Sequence, residues 1–210
     1  MFSPQMLPVL RLIGCFVLWT ALSGNTPPPS KKKFLLEDSS RLYLAGTSNV
    51  NKFTCDCEDR FSKQTVRIER SGGLTKFGDA GLMLTVKNFN CHNRKIDTDM
   101  QKALRAEQHP HIRVSLLEAR QDPKCLEGKC GEWFPVEAKV NITIAEVTRQ
   151  ETVAAQARRL NAQRFQLRGD KTLQMSAFGI QPPQAMFGMI KVNDWITFHF
   201  DLSVMVEDAL

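Results

Sequence analysis

The side chains of this sequence best able to do chemistry are its six cysteines and four histidines. Cys55 and Cys57 stand two apart, so on a strand both point to one side, and either reaches Cys91 if that residue lies on a neighbouring strand. Cys125 and Cys130 enclose Leu-Glu-Gly-Lys, which places Gly128 in a tight loop. That is the arrangement expected of a disulfide closing a short connection, worth about 2 kcal/mol in the chain-entropy model. The rival use of Cys55, Cys57 and Cys91 is a metal site completed by His92. Zinc sites space paired cysteines by about two to four residues rather than one, and an oxidising compartment favours bridging, so we expect no metal. His109-Pro110-His111 flanks a helix end and His199 falls on the polar face of a strand, positions for caps and surfaces rather than ligands. Asp194 before Trp195 fits a turn. Without Gly-x-Ser-x-Gly, His-Glu-x-x-His or a phosphate-binding glycine loop, we expect no enzyme and no cofactor.

The redox argument depends on where the chain goes. Residues 1–23 run from a basic start through the apolar Leu12–Leu22 to small residues, the pattern of a secretory signal. That apolar run is half of the roughly twenty residues a membrane-spanning helix needs. Ala21 and Ser23 occupy the two recognition positions for cleavage after Ser23. Leu12-Ile13-Gly14-Cys15 also resembles a lipobox, but Arg11 directly before it leaves almost no apolar stretch ahead of Cys15. We therefore expect a periplasmic or secreted protein rather than a lipoprotein anchored at Cys15. Five cysteines then remain, an odd number that leaves one unpaired.

Cleavage removes Arg11 alone of the charged residues, leaving 27 basic against 22 acidic side chains without a dense basic stripe. Nucleic acid is not expected as a partner. Residues 24–40, rich in Pro, Ser and Lys, read as a disordered linker, with Lys31-Lys32-Lys33 a solvated run capable of transient contact with a membrane surface.

From Arg41 to Asp208 the dominant signal is period-two alternation. Ile196, Phe198, Phe200, Leu202, Val204 and Val206 oppose Thr197, His199, Asp201 and Ser203. Val136, Ala138, Val140, Ile142 and Ile144 oppose Glu137, Lys139, Asn141 and Thr143. Leu82, Leu84 and Val86 begin a strand whose parity then shifts to Phe89 and Cys91, which predicts a β-bulge near Lys87-Asn88. One segment, Asp97–Glu107, reads as a helix capped by Asp97 or Thr98, with Met100, Ala103 and Leu104 on one face. Many strands, one short helix and no βαβ rhythm predict an all-β antiparallel fold, and the length of the strands favours a barrel.

Several separated strings resemble the YceI family of lipocalin-like, polyisoprenoid-binding exported proteins. They are Gly46-Thr-Ser-Asn-Val-Asn-Lys-Phe-Thr-Cys55, the helix and strand entry Asp99–Ile112, the long strand and turn Ala138–Thr148, and Phe178–Asp194 leading into the last strand. The resemblance spans roughly residues 41–206 and implies an eight-stranded antiparallel barrel with one helical excursion, binding a long prenyl lipid without catalysis. The sequence departs from the family at Glu146, where a turn glycine is usual, and in the long polar segment Gln150–Arg164.

On this reading the inward set is Phe53, Val140, Ile142, Ile144, Phe165, Leu173, Met175, Phe178, Ile196, Phe198 and Phe200. Phe178, Ile180, Met186, Phe187, Met189 and Ile190 would form a flexible lid. Of these inward and lid positions the expected ligand-binding residues are Phe53, Val140, Ile142, Ile144, Phe165, Met175, Phe178, Met186, Phe187, Ile196, Phe198 and Phe200, and the expected function is a carrier or store for an isoprenoid-type chain. The alternative is an extracytoplasmic interaction or stress-related protein with a filled core. A homodimer is compatible with either.

Overall fold

The computed structural model describes residues 29–127 and 132–209. Twelve antiparallel strands account for most of it: β1 Ser30–Leu36, β2 Arg41–Ser48, β3 Lys52–Cys57, β4 Gln64–Ser71, β5 Leu74–Thr85, β6 Phe89–Asn90, β7 His111–Arg120, β8 Phe134–Ile144, β9 Val147–Arg159, β10 Arg164–Gln174, β11 Gln184–Ala185 and β12 Ile190–Asp208. Two helices interrupt them, α1 Arg94–Ala103 and α2 Pro123–Glu127.

Eight strands close a ring in the order β1-β4-β5-β7-β8-β9-β10-β12, with β12 returning to β1. The 19-residue β12 makes this possible because its free edge is divided. Val204–Asp208 pair with β1, while Val192–Asp201 pair with β2, which carries β3 and β6 as an extension of the wall. Alternation sets the faces as expected: on β8, Phe134, Val140, Ile142 and Ile144 are buried and the residues between them are not.

The linker expected over residues 24–40 is wrong for its second half. Ser30–Leu36 is β1, hydrogen-bonded to β4 on one side and β12 on the other, and it closes the ring. Lys32 pairs with Asp208 across that seam. The lysines that suggested solvated coil are the polar residues of a barrel strand, and only its distant partners make it one.

The expected bulge is a different device. Val86–Asn88 forms a turn of 3-10 helix that lifts the chain out of β5 and into β6, where Cys57 pairs with Phe89. Asp59 fixes it by accepting from the Thr85 amide and from the Asn88 side chain at 2.5 and 2.6 Å. The helix also starts earlier than expected. Asn93, not Asp97 or Thr98, caps α1, accepting from Lys95 N and Ile96 N, while Asp97 accepts from the Cys91 amide.

The segment Gln150–Arg164 contributes most of a regular strand, β9, joined to β8 by a two-residue turn. Its residues Ala145 and Glu146 take φ of 46° and 73°, left-handed values that glycine would adopt without strain. Arg105 Nη2 donates to Ala145 O at 3.1 Å and His109 Nδ1 lies 3.6 Å from Glu146 Oε1, so the chain after α1 holds this turn in place.

Candidate functional site

The barrel interior is divided. Over the middle of β8, Val140 and Ile142 are buried in a continuous packed cluster with Leu84, Val86 and Val153. Towards the end bearing α1 the packing opens into an apolar cavity of about 260 Å³. Ile112, Ile144, Leu173, Ile196 and Phe198 line it from the barrel strands, and Leu44 and Phe53 from the β2–β3 extension. Its cover has three parts: the apolar face of α1, the turn Met175–Phe178, and the hairpin of β11 with the start of β12. On α1, Ile96, Met100, Ala103 and Leu104 follow helical spacing and all face the cavity. Ser48, Asn51, Lys95, Asp99 and Gln184 form a polar mouth, where Lys95 and Asp99 pair at 3.9 Å.

Two interior glycines let aromatic rings lie against the backbone. Gly46 stands opposite both Phe53 and Ile196, and a Cβ there would lie 2.4 Å from Phe53 Cζ and 2.7 Å from Ile196 Cδ1. Gly169 stands opposite Phe200, whose Cζ would lie 2.8 Å from an added Cβ. At the cavity end the β9–β10 ladder stops at Ala155 and Gly169, and side chains continue the wall. Lys171 Nζ lies 2.7 Å from Glu151 Oε2 and donates to Thr152 O, and Arg149 Nε donates to Ala177 O.

Asp194 holds the Met175–Phe178 turn of that cover. It accepts from the Ser176 amide at 2.8 Å and from the Ser176 hydroxyl at 2.5 Å. Partial burial raises its pKa, but the hydrogen bonds from Ser176 and Gln174 together outweigh that and hold the carboxyl below the ordinary aspartate value.

Six of the expected ligand-binding residues meet at the cavity: Phe53, Ile144, Met175, Phe178, Ile196 and Phe198. Val140 and Ile142 lie in the packed cluster and Phe200 packs against it. Phe165 lies away from the cavity, with the Arg159 guanidinium 5.9 Å from its ring centroid. Met186 and Phe187 do not form a lid. They sit at the tip of the β11–β12 hairpin with φ of 50° and 55°, and Phe187 is fully exposed. Phe178 and Ile180 are the inward part of that apolar run, 1% and 4% exposed. The sequence reading missed Leu44, Ile112 and the apolar face of α1, although that face was visible as helical periodicity.

Among the described residues the cysteines form one bridge. Cys55 pairs with Cys91, tying β3 to the segment that enters α1. Cys57 keeps its thiol, and burial beside the carboxylates of Asp59 and Glu58 pushes its pKa up to about 11. That leaves it almost wholly protonated at neutral pH and a poor nucleophile. Cys130 lies outside the described residues, and with it the Cys125–Cys130 pairing, as do Cys15 and the expected signal. Among the described residues no cluster of three or more His, Cys, Asp or Glu side chains is arranged to hold a metal ion.

The model of the YceI-like domain matches residues 40–204. The chain belongs to the YceI-like family. A polyisoprenoid binding domain from Saccharophagus degradans, implicated in plant cell wall breakdown, superposes with a TM-score of 0.58 at 11% identity, covering 84% of this chain and 98% of that one. Burkholderia cenocepacia BcnA superposes with a TM-score of 0.57 at 15% identity, covering 78% of this chain and 95% of its own. No curated protein matches the chain. At these identities the solved structures speak for the YceI-like fold alone.

Proposed function

We propose that this chain is an exported lipid-binding protein that holds an isoprenoid-type chain in the cavity beneath α1, as carrier or store rather than catalyst. The observation that carries the proposal is the cavity itself, apolar on every side but its mouth and lined without a group activated for chemistry. Membership of a family whose neighbour is described as polyisoprenoid-binding supports the choice of ligand. Export is supported by the apolar Leu12–Leu22 segment and by the Cys55–Cys91 bridge, which suits an oxidising compartment.

The size of the cavity refines the proposal. At 260 Å³ it falls just below the roughly 300–1,000 Å³ usual for small-molecule pockets, so it takes one end of a prenyl chain while the remainder extends through the mouth. The packed zone around Val140 and Ile142 favours a second reading, an extracytoplasmic interaction protein with a filled core. Uptake of a fluorescent prenyl alcohol by delipidated protein separates the two. The lipid reading predicts saturable uptake that Ala103→Phe, which fills the cavity from α1, reduces by tenfold or more, on the order of the loss when an apolar site is blocked. Uptake that does not saturate supports the filled core.

A further inference from the structure

The tip of the β11–β12 hairpin spends conformational energy on exposure. Met186 and Phe187 both hold left-handed φ, a region costly for bulky side chains, and the result is that Met186, Phe187 and Met189 face solvent. Val50, at the turn between β2 and β3, is exposed beside them. The two tips are fastened together: Asn49 Nδ2 donates to Met189 O at 2.8 Å, Lys191 N donates to Asn49 Oδ1 at 2.9 Å, and Asn49 N donates to Lys191 O at 3.1 Å. This apolar prominence stands at the cavity mouth, since Val50, Gln184, Ala185 and Ile190 line the cavity and the exposed residues continue outward from them. The charged groups beside it are Lys191 on the hairpin, Lys95 paired with Asp99 at the mouth, and Lys102, which with Arg105 and Gln184 borders a neighbouring depression.

We infer that the Val50 and Met186–Met189 tips form a membrane-docking surface that seats the cavity mouth on an anionic bilayer. Exposed large apolar side chains with a basic excess beside them match the interface of a bilayer bearing anionic headgroups, where apolar side chains insert among the acyl chains and the cations meet phosphate. Continuity with the cavity distinguishes this surface from Met83, which is also exposed but lies on β5 away from the mouth. Docking here lets a chain pass between bilayer and cavity without crossing water. The inference rests on the proposed lipid-binding function.

Flotation of the mature protein with vesicles tests it, using phosphatidylcholine alone and an equal mixture of phosphatidylcholine and phosphatidylglycerol. The wild type is expected to float with the mixed vesicles, less with the neutral ones, and less again in high salt. Phe187→Ser combined with Met189→Ser is expected to weaken flotation by about tenfold, as binding scales with inserted apolar area. Met83→Ser is expected to leave it unchanged. Phe187→Trp gives a readout independent of the truncated tip, with emission expected to shift to the blue on vesicle addition. Flotation equal in the wild type and the double variant overturns the inference, as does a wild type that ignores both vesicles. A concentration-dependent dimer abolished by the double variant also overturns it, because the tip is then a protein contact. Lipid recovered by mass spectrometry from the same wild-type preparation reads the lipid-binding proposal separately, so either can fail alone.

Discussion

At Gly46 the absence of a side chain shapes the cavity wall. The Phe53 ring and Ile196 close on the space a Cβ would take, from the two strands flanking β2. Gly46→Ala is therefore expected to push Phe53 towards the cavity, costing about 1–3 kcal/mol by overpacking and lowering prenyl-probe uptake in parallel. Urea unfolding and uptake measured on the same samples check it, and unchanged uptake would mean that the ring does not border the ligand. Asp194 acts through backbone rather than ligand. Asp194→Ala removes the acceptor for Ser176 and is expected to cost about 1 kcal/mol at this partly exposed site. Because the folded-state pKa is depressed, the contribution is complete above the unfolded value of about 3.9 and is lost as pH falls through the lower folded value. The stability difference between wild type and Asp194→Ala is thus expected to hold from neutral pH to about pH 5 and to shrink only in more acid solution. A difference that vanishes near neutrality would contradict this assignment.

Among the elements, β3 and α1 depend on a covalent tie because β6, their neighbour, is two residues long. The Cys55–Cys91 bridge spans a sequence separation of 36, which the chain-entropy model values at about 4 kcal/mol. Cys91→Ser is expected to lower stability by about 3 kcal/mol. Amide exchange should show its earliest loss of protection in β3, β6 and α1, which the bridge joins, and uniform loss across the ring would contradict that. The elements also show which parts of the fold sequence alone reveals. β8 and β12 are legible because each carries its own alternation through eleven or more residues. β1 is not, since Lys31, Lys32 and Lys33 become strand residues only through pairing with β4 and β12, far along the chain. The hairpin tip is illegible for the opposite reason: Met186 and Phe187 have lid composition, and the left-handed backbone that turns them outward leaves no mark in residue type.

For the whole molecule, the division of the interior matters more than closure of the ring. The barrel is packed at Val140 and Ile142, and its apolar cavity lies at the end where α1, the Met175–Phe178 turn and the β11–β12 hairpin converge. Phe198 lines that volume, while Phe200, two residues further along the same strand, lies over Gly169 and does not, although both pack against the core cluster. The boundary between cavity and core thus falls within a single strand face, where the residue types are the same on both sides and alternation cannot locate it. On the proposed function, transfer of a chain between this cavity and a bilayer would exchange one apolar setting for another, so loading and release would need little net free energy. Native mass spectrometry of the mature protein, before and after organic extraction, tests the central claim most directly. The account predicts intact protein carrying one additional long-chain lipid mass, lost on extraction and recovered in the organic phase. Protein at its bare sequence mass in both states, with no long-chain lipid in the extract, would contradict it.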